Sequence, residues 1–167
     1  MPTLLPILVY PHPNLRRVAN PVQEVTPEVV TLVDNMIHTM YASNGIGLAA
    51  VQVDQPLRII VLDVSEAKDS PHVFINPEIK IVGGKQTSEE GCLSVPGFFE
   101  SVERAEVIRV LALDRDGSQF ETEADGLKSI CIQHEVDHLD GKVFVDYLSR
   151  LKQSRIRKKL LKTRAAA

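Results

Sequence analysis

Apolar residues recur at helical spacing near both ends of the chain, and short β-branched runs lie between them. From Pro27 to Tyr41, the residues Val29, Val30, Val33, Ile37 and Met40 share one face. Thr26 is placed to cap that segment, and Pro27 suits a first helical position, where its missing N–H costs nothing. A second helix is expected over Asp125 to Leu139, with Leu127, Ile130, Cys131, His134, Val136, His138 and Leu139 inward and Gly141 as the stop. Between the helices, Arg58–Val64, Val73–Ile75 and Ile79–Val82 are strand candidates, and Val107–Leu113 returns through Asp116-Gly117 into Gln119–Glu123 as a hairpin. Separate strands followed by a helix predict an α+β fold rather than alternating βαβ units.

Length and composition place these elements in one domain. The 167 residues, 44% of them hydrophobic, suffice for a real core, so residues 1–149 are expected to form a single domain and 150–167 a helical tail upon it. No apolar run approaches the roughly 20 residues needed to cross a bilayer. The apolar stretch Met1–Tyr10 lacks a basic start and is broken by Pro6, which makes it a poor signal peptide, so a cytoplasmic location is expected; the expected oligomeric state is a monomer. Two cysteines in such a chain are expected to stay free rather than pair.

Within the second helix the chain reads His134-Glu135-Val136-Asp137-His138. Residues four apart on a helix have Cβ atoms about 5–6 Å apart, so both imidazoles can converge on one metal ion. Glu135 then stands beside the ion, where it can take a proton from a bound water. A catalytic site of this kind normally takes a third protein ligand. Position 144, where one protease class would place a histidine, holds Phe144, and no glutamate follows Glu135 to serve another class. Asp146 is the one downstream carboxylate able to fold back freely, and it is a weak candidate. Cys131 sits seven residues before His138, about 10.5 Å along a helix axis, too far to share its ion. Cys92, in the Gly-containing segment Glu89-Glu90-Gly91-Cys92-Leu93-Ser94, has no such restriction and is chosen as the third ligand.

A third segment, Gly45-Ile46-Gly47-Leu48-Ala49-Ala50-Val51-Gln52, completes an ordered set. With GIGLAAVQ, EGCLS and QHEVDHLDG in that order, the chain resembles the peptide deformylase family over essentially its whole length. The resemblance implies antiparallel sheets packed around a central HExxH metal-binding helix, with N- and C-terminal helices. It implies hydrolytic removal of the formyl group from the N-terminal formyl-methionine of new polypeptides. Cys92, His134 and His138 would hold the ion, and Glu135 would activate water. Gln52 and the backbone N–H of Leu93 would hold the oxyanion. Gly45 and Gly47 would let a peptide strand approach, and Ile46, Glu90, Ile130, Cys131 and His134 would line the methionine pocket. One divalent ion is implied, ferrous iron in the family, although a thiolate and two imidazoles also suit zinc, nickel or cobalt. Glu90 or Asp137 would orient the ligands from behind.

Two features stand outside that pattern. Residues 150–164 carry eight basic and no acidic side chains, which leaves 11 basic against 22 acidic in residues 1–149. Ser149 can cap this tail, and Leu151, Ile156, Leu160 and Leu161 give it a partial apolar stripe. Its reading is either a solvated helix or a contact with nucleic acid phosphates, and the resemblance implies docking at the ribosome, where substrates emerge. The second feature is Phe98-Phe99, where some family members carry polar or basic residues. These aromatics either rim the peptide site or pack beneath the loop.

Overall fold

The computed structural model describes residues 1–166. Helix α1 (Pro27–Ala42) starts where Thr26 Oγ1 accepts the Val29 N–H at 3.3 Å. Strands β1 (Gly47–Ala49), β2 (Ile59–Leu62), β3 (His72–Cys92), β4 (Val95–Leu113) and β5 (Gln119–Ala124) follow, then α2 (Gly126–Leu139) and α3 (Arg150–Ala166). The strands form one antiparallel sheet in the order β1-β2-β3-β4-β5. The α+β expectation holds, with a single sheet in place of several.

Strand β2 explains how the sheet is covered. Its side chains alternate between faces. Ile59 and Val61 pack with Val33, Met36 and Met40 of α1, whereas Ile60 and Leu62 pack with Ile132 and Leu139 of α2. All four are fully buried, which is why this strand reads as a continuous apolar run. On α1 the inward face includes Met36 and Thr39, two positions the periodicity passed over; Thr39 can be buried because its Oγ1 donates to the Asn35 carbonyl at 2.7 Å. On α2, Leu127 points the other way from its expected place and is half exposed.

The largest difference from expectation is the length of β3 and β4. The candidates Val73–Ile75 and Ile79–Val82 are parts of one 21-residue strand, and β4 begins at Val95 rather than Val107. Beyond Val82 the two strands form a ribbon whose outer residues are largely exposed and polar, so it carries no apolar alternation to recognise. Register shifts between Ile75 and Glu78, Ile81 and Gly83, and Glu90 and Cys92 bend it.

A third apolar cluster joins the ribbon to the C-terminus. Val95 and Val102 pack with Tyr10, Leu15, Phe144, Val145 and, from α3, Ile156 and Leu160. Ser149 Oγ accepts the Lys152 N–H at 3.3 Å to start α3. Leu151 and Leu161 of the expected stripe are exposed, leaving Ile156 and Leu160 as the anchors. Among the described residues no helix is long and apolar enough to cross a membrane.

Candidate metal centre and cleft

Three elements deliver the candidate ligands to one point. Helix α2 carries His134 and His138 one turn apart, with ring centroids 5.2 Å from each other. Cys92 arrives as the last residue of β3, at the tight turn into β4. One donor atom from each of Cys92, His134 and His138 lies within 4.8 Å of the others, and Cys92 Sγ is 3.4 Å from His138 Nε2. A tetrahedral ion with metal–sulfur and metal–nitrogen bonds of about 2.3 and 2.0–2.1 Å holds its sulfur and nitrogen ligands about 3.5 Å apart. The donor set therefore fits such an ion in spacing and in chemistry. One buried atom supports the fit: Glu135 Oε1 has no hydrogen-bond partner in the protein, a condition that a small bound ligand relieves.

Behind the candidate ligands lies a chain of charge-assisted bonds. Glu90 Oε1 sits 2.8 Å from His134 Nδ1, which leaves Nε2 facing the site. Arg104 grips Glu90 with two bonds of 2.9 Å, and its remaining arm reaches Asp137 at 2.6 Å. Tyr147 donates its hydroxyl to Asp137 at 2.7 Å. Burial opposes ionisation of Glu90, yet His134 and Arg104 outweigh it and hold the carboxyl below its usual value. Burial likewise works against Arg104, and the two carboxylates reverse it. In sequence terms Arg104 left no signal, since only the fold brings it beside a residue 14 positions away.

The catalytic candidates surround the same point. Glu135 is buried on α2, and burial pushes its carboxyl up to about 7. Gln52, in a 3₁₀ turn over Ala50–Val53, is also buried. Its Oε1 accepts the Ala49 N–H at 2.9 Å, which assigns the amide orientation. Its Nε2 then donates to Ser94 Oγ at 3.0 Å and faces Cys92 Sγ at 3.4 Å. Ser94 was not singled out from the sequence. The N-terminal segment straps both neighbours, with Leu8 N–H on the Gln52 carbonyl at 2.7 Å and Tyr10 N–H on the Ser94 carbonyl at 2.8 Å.

A cleft of about 470 Å³ opens onto this centre, lined by Gly45, Ile46, Gly47, Gln52, Cys92, Leu93, His134 and Glu135, with Glu89 and Phe99 also on its walls. Glu90, Ile130 and Cys131 stand outside that lining, all three buried. Cys131 donates through Sγ to the Ile46 carbonyl at 3.7 Å, and burial pushes its thiol well above the ordinary value. Both cysteines are free. Asp146 is occupied elsewhere, in an ion pair with Arg16 at 2.6 Å.

With this geometry in hand, the comparison with known proteins is decisive: the polypeptide deformylase family model matches residues 4–154. The chain belongs to the polypeptide deformylase family. It is 58% identical over 160 residues to the peptide deformylase of Psychrobacter cryohalolentis, an alignment covering 95% of this chain and 87% of the relative. Among solved structures, the Legionella pneumophila peptide deformylase superposes with a TM-score of 0.93 at 44% identity, covering 98% of this chain and 97% of that one. The Ehrlichia chaffeensis peptide deformylase in complex with actinonin gives 0.93 at 39% identity, over 96% and 98%. As a deformylase, the chain is an enzyme with a candidate metal site.

Proposed function

We propose that this deformylase removes the formyl group from the N-terminal formyl-methionine of nascent polypeptides, using one divalent cation held by Cys92, His134 and His138. The observation that carries the reading is the convergence of one sulfur, two imidazoles, a buried carboxyl and a buried amide at the floor of a single cleft. When bound, the cation supplies Lewis acidity, polarising the formyl carbonyl and acidifying water. Ferrous iron is the ion the family resemblance implies, and zinc, nickel or cobalt satisfy the same donors.

The remaining work falls to the chain's own side chains. Glu135 takes a proton from the attacking water and returns it to the departing amine, a role suited to a carboxyl whose Oε1 is buried with no other partner. Gln52 cannot turn its amide around, because Ala49 holds the oxygen end. Its N–H therefore stays aimed beside the Cys92 sulfur, where the formyl oxygen gains charge, and the backbone N–H of Leu93 joins it. Gly45 and Gly47, without side chains, leave room for the substrate backbone along the cleft. Ile46, whose carbonyl accepts from the Cys131 thiol, bounds the methionine side chain together with His134, while Ile130 and Glu90 stand behind the cleft wall.

The chain acts as a cytoplasmic monomer, residues 1–149 forming the catalytic domain and 150–167 its tail, held to it through Ile156 and Leu160. The exposed bases Arg155, Arg157, Lys158 and Lys162 present that tail to ribosomal RNA phosphates. The test of the chemistry is formate release from formyl-Met-Ala-Ser by wild type and Glu135→Gln, with metal content measured on both. The variant is expected to keep its ion and lose turnover by about 10²-fold or more. A fully active variant would remove Glu135 from the mechanism, and cleavage of a blocked, unformylated peptide by wild type would favour an endoprotease instead.

A further inference from the structure

The consecutive aromatics Phe98 and Phe99 lie on the first stretch of β4, where neighbouring side chains leave the strand on opposite sides. Phe98 is partly buried in the cluster that contains Tyr10, Phe144, Ile156 and Leu160. The ammonium of Lys159 lies 5.7 Å from its ring centroid, and Lys152 of the same helix binds Glu100 at 3.0 Å. Helix α3 thus grips this part of the strand from one side.

Phe99 faces the other way. It is 65% exposed and lines the cleft that holds Cys92, Leu93, His134 and Glu135. Its ring rests on Gly91, where an added Cβ would lie 2.7 Å from Phe99 Cδ1, so only a glycine lets the ring lie against the strand next to the ligand Cys92. The ring is seated below and its strand is anchored behind, yet most of its apolar surface is free. A preseated aromatic loses little conformational freedom on binding. Glu89, which also lines this cleft, is exposed and acidic, so an acidic residue on the peptide would meet like charge there.

We propose that Phe99 is a specificity residue of the cleft, packing against an apolar side chain of the peptide downstream of the formylated methionine. This rests on the deformylase reading given above. Covering about 60 Å² of apolar surface at the usual free energy per unit area corresponds to roughly a tenfold preference.

The experiment compares kcat/KM for formate release from formyl-Met-X-Ser and formyl-Met-Ala-X peptides, where X is Leu, Phe, Ser or Asp, using the full-length metal-loaded enzyme. Wild type is expected to favour Leu or Phe over Asp about tenfold at one of the two positions. Phe99→Ala should abolish that ratio, and Phe99→Leu should retain part of it. A purely structural effect would lower all peptides together and leave the ratio intact, which overturns the proposal, as does a wild type with no preference at either position. Formate released from none of the peptides would overturn the deformylase reading itself and this inference with it.

Discussion

Gly47 is the position at which a single methyl group should separate metal binding from turnover. A Cβ built there would lie 2.8 Å from Cys131 Sγ and 3.0 Å from Glu135 Cδ, and closer still to Glu135 Oε2. Ordinary non-bonded carbon contacts lie near 3.5–4.0 Å, so something must yield by roughly 1 Å. The backbone cannot retreat, because Gly47 is buried and paired with Leu62 on β2. Cys131 is equally fixed, buried on α2. The Glu135 carboxylate is the group left to move, and a displacement of about 1 Å costs on the order of 10²-fold in rate. Overpacking should also cost about 1–3 kcal/mol of stability. The expected outcome for Gly47→Ala is a kcat lowered about 100-fold with metal content equal to wild type and a melting temperature several degrees lower. Gly45→Ala is the matched comparison. There the new methyl meets the tip of the Leu93 side chain at 2.7 Å, which can rotate away, so the loss should be far smaller. Steady-state formate release and metal analysis on the same samples decide it. A near-normal kcat for Gly47→Ala would refute the argument that Glu135 is held in place by the absence of a side chain opposite it.

Three further outcomes follow from particular contacts. Arg104→Met leaves Glu90 buried without its guanidinium, which should cost about 3–5 kcal/mol in urea unfolding. It should also weaken the cation about 10–100-fold in chelator competition, because His134 loses its braced partner; unchanged affinity would mean the bracing is idle. Asp63 is buried, which opposes its ionisation, but hydrogen bonds from Ser65, Tyr41 and Ser70 prevail and lower its pKa from 3.8 to about 2. Its folded value lies below the unfolded one, so the stability it contributes is present above about pH 4 and lost as pH falls through about 2. Asp63→Asn should therefore lose less stability than wild type between pH 5 and pH 2.5, and equal losses would argue against it. Reversing Lys158 and Lys162 to Glu spares the buried anchors Ile156 and Leu160. This variant should melt like wild type yet cosediment less with ribosomes, with a shallower salt dependence; unchanged cosedimentation would leave the tail as a merely solvated helix.

The parts of this protein legible in its sequence are those that local backbone geometry sets. Thr26-Pro27 starts α1 at the expected residue, and the four-residue spacing of His134 and His138 puts both rings on one side of α2. The apolar run at Ile59–Leu62 reads as a strand because it is covered on both faces. The ribbon from Gly83 to Val107 was not legible, since its outer face is polar, its buried positions include Glu90 and Arg104 among a few apolar residues, and its pairing is made by backbone groups that every residue carries. Likewise, the ordered motifs named Cys92 and Gln52 as candidates, but only the fold brings a sulfur 42 positions upstream of His134 into reach. Only the fold, too, turns the Gln52 amide by means of Ala49 and sets Arg104 behind Glu90. Phe98 and Phe99 illustrate the division most plainly: their adjacency is written in the chain, while which ring lies under α3 and which faces the cleft depends on what packs against each side of β4. Helical and strand periods arise within a few residues, whereas partners across the site are chosen by long-range packing, and that choice exists only once the chain has folded.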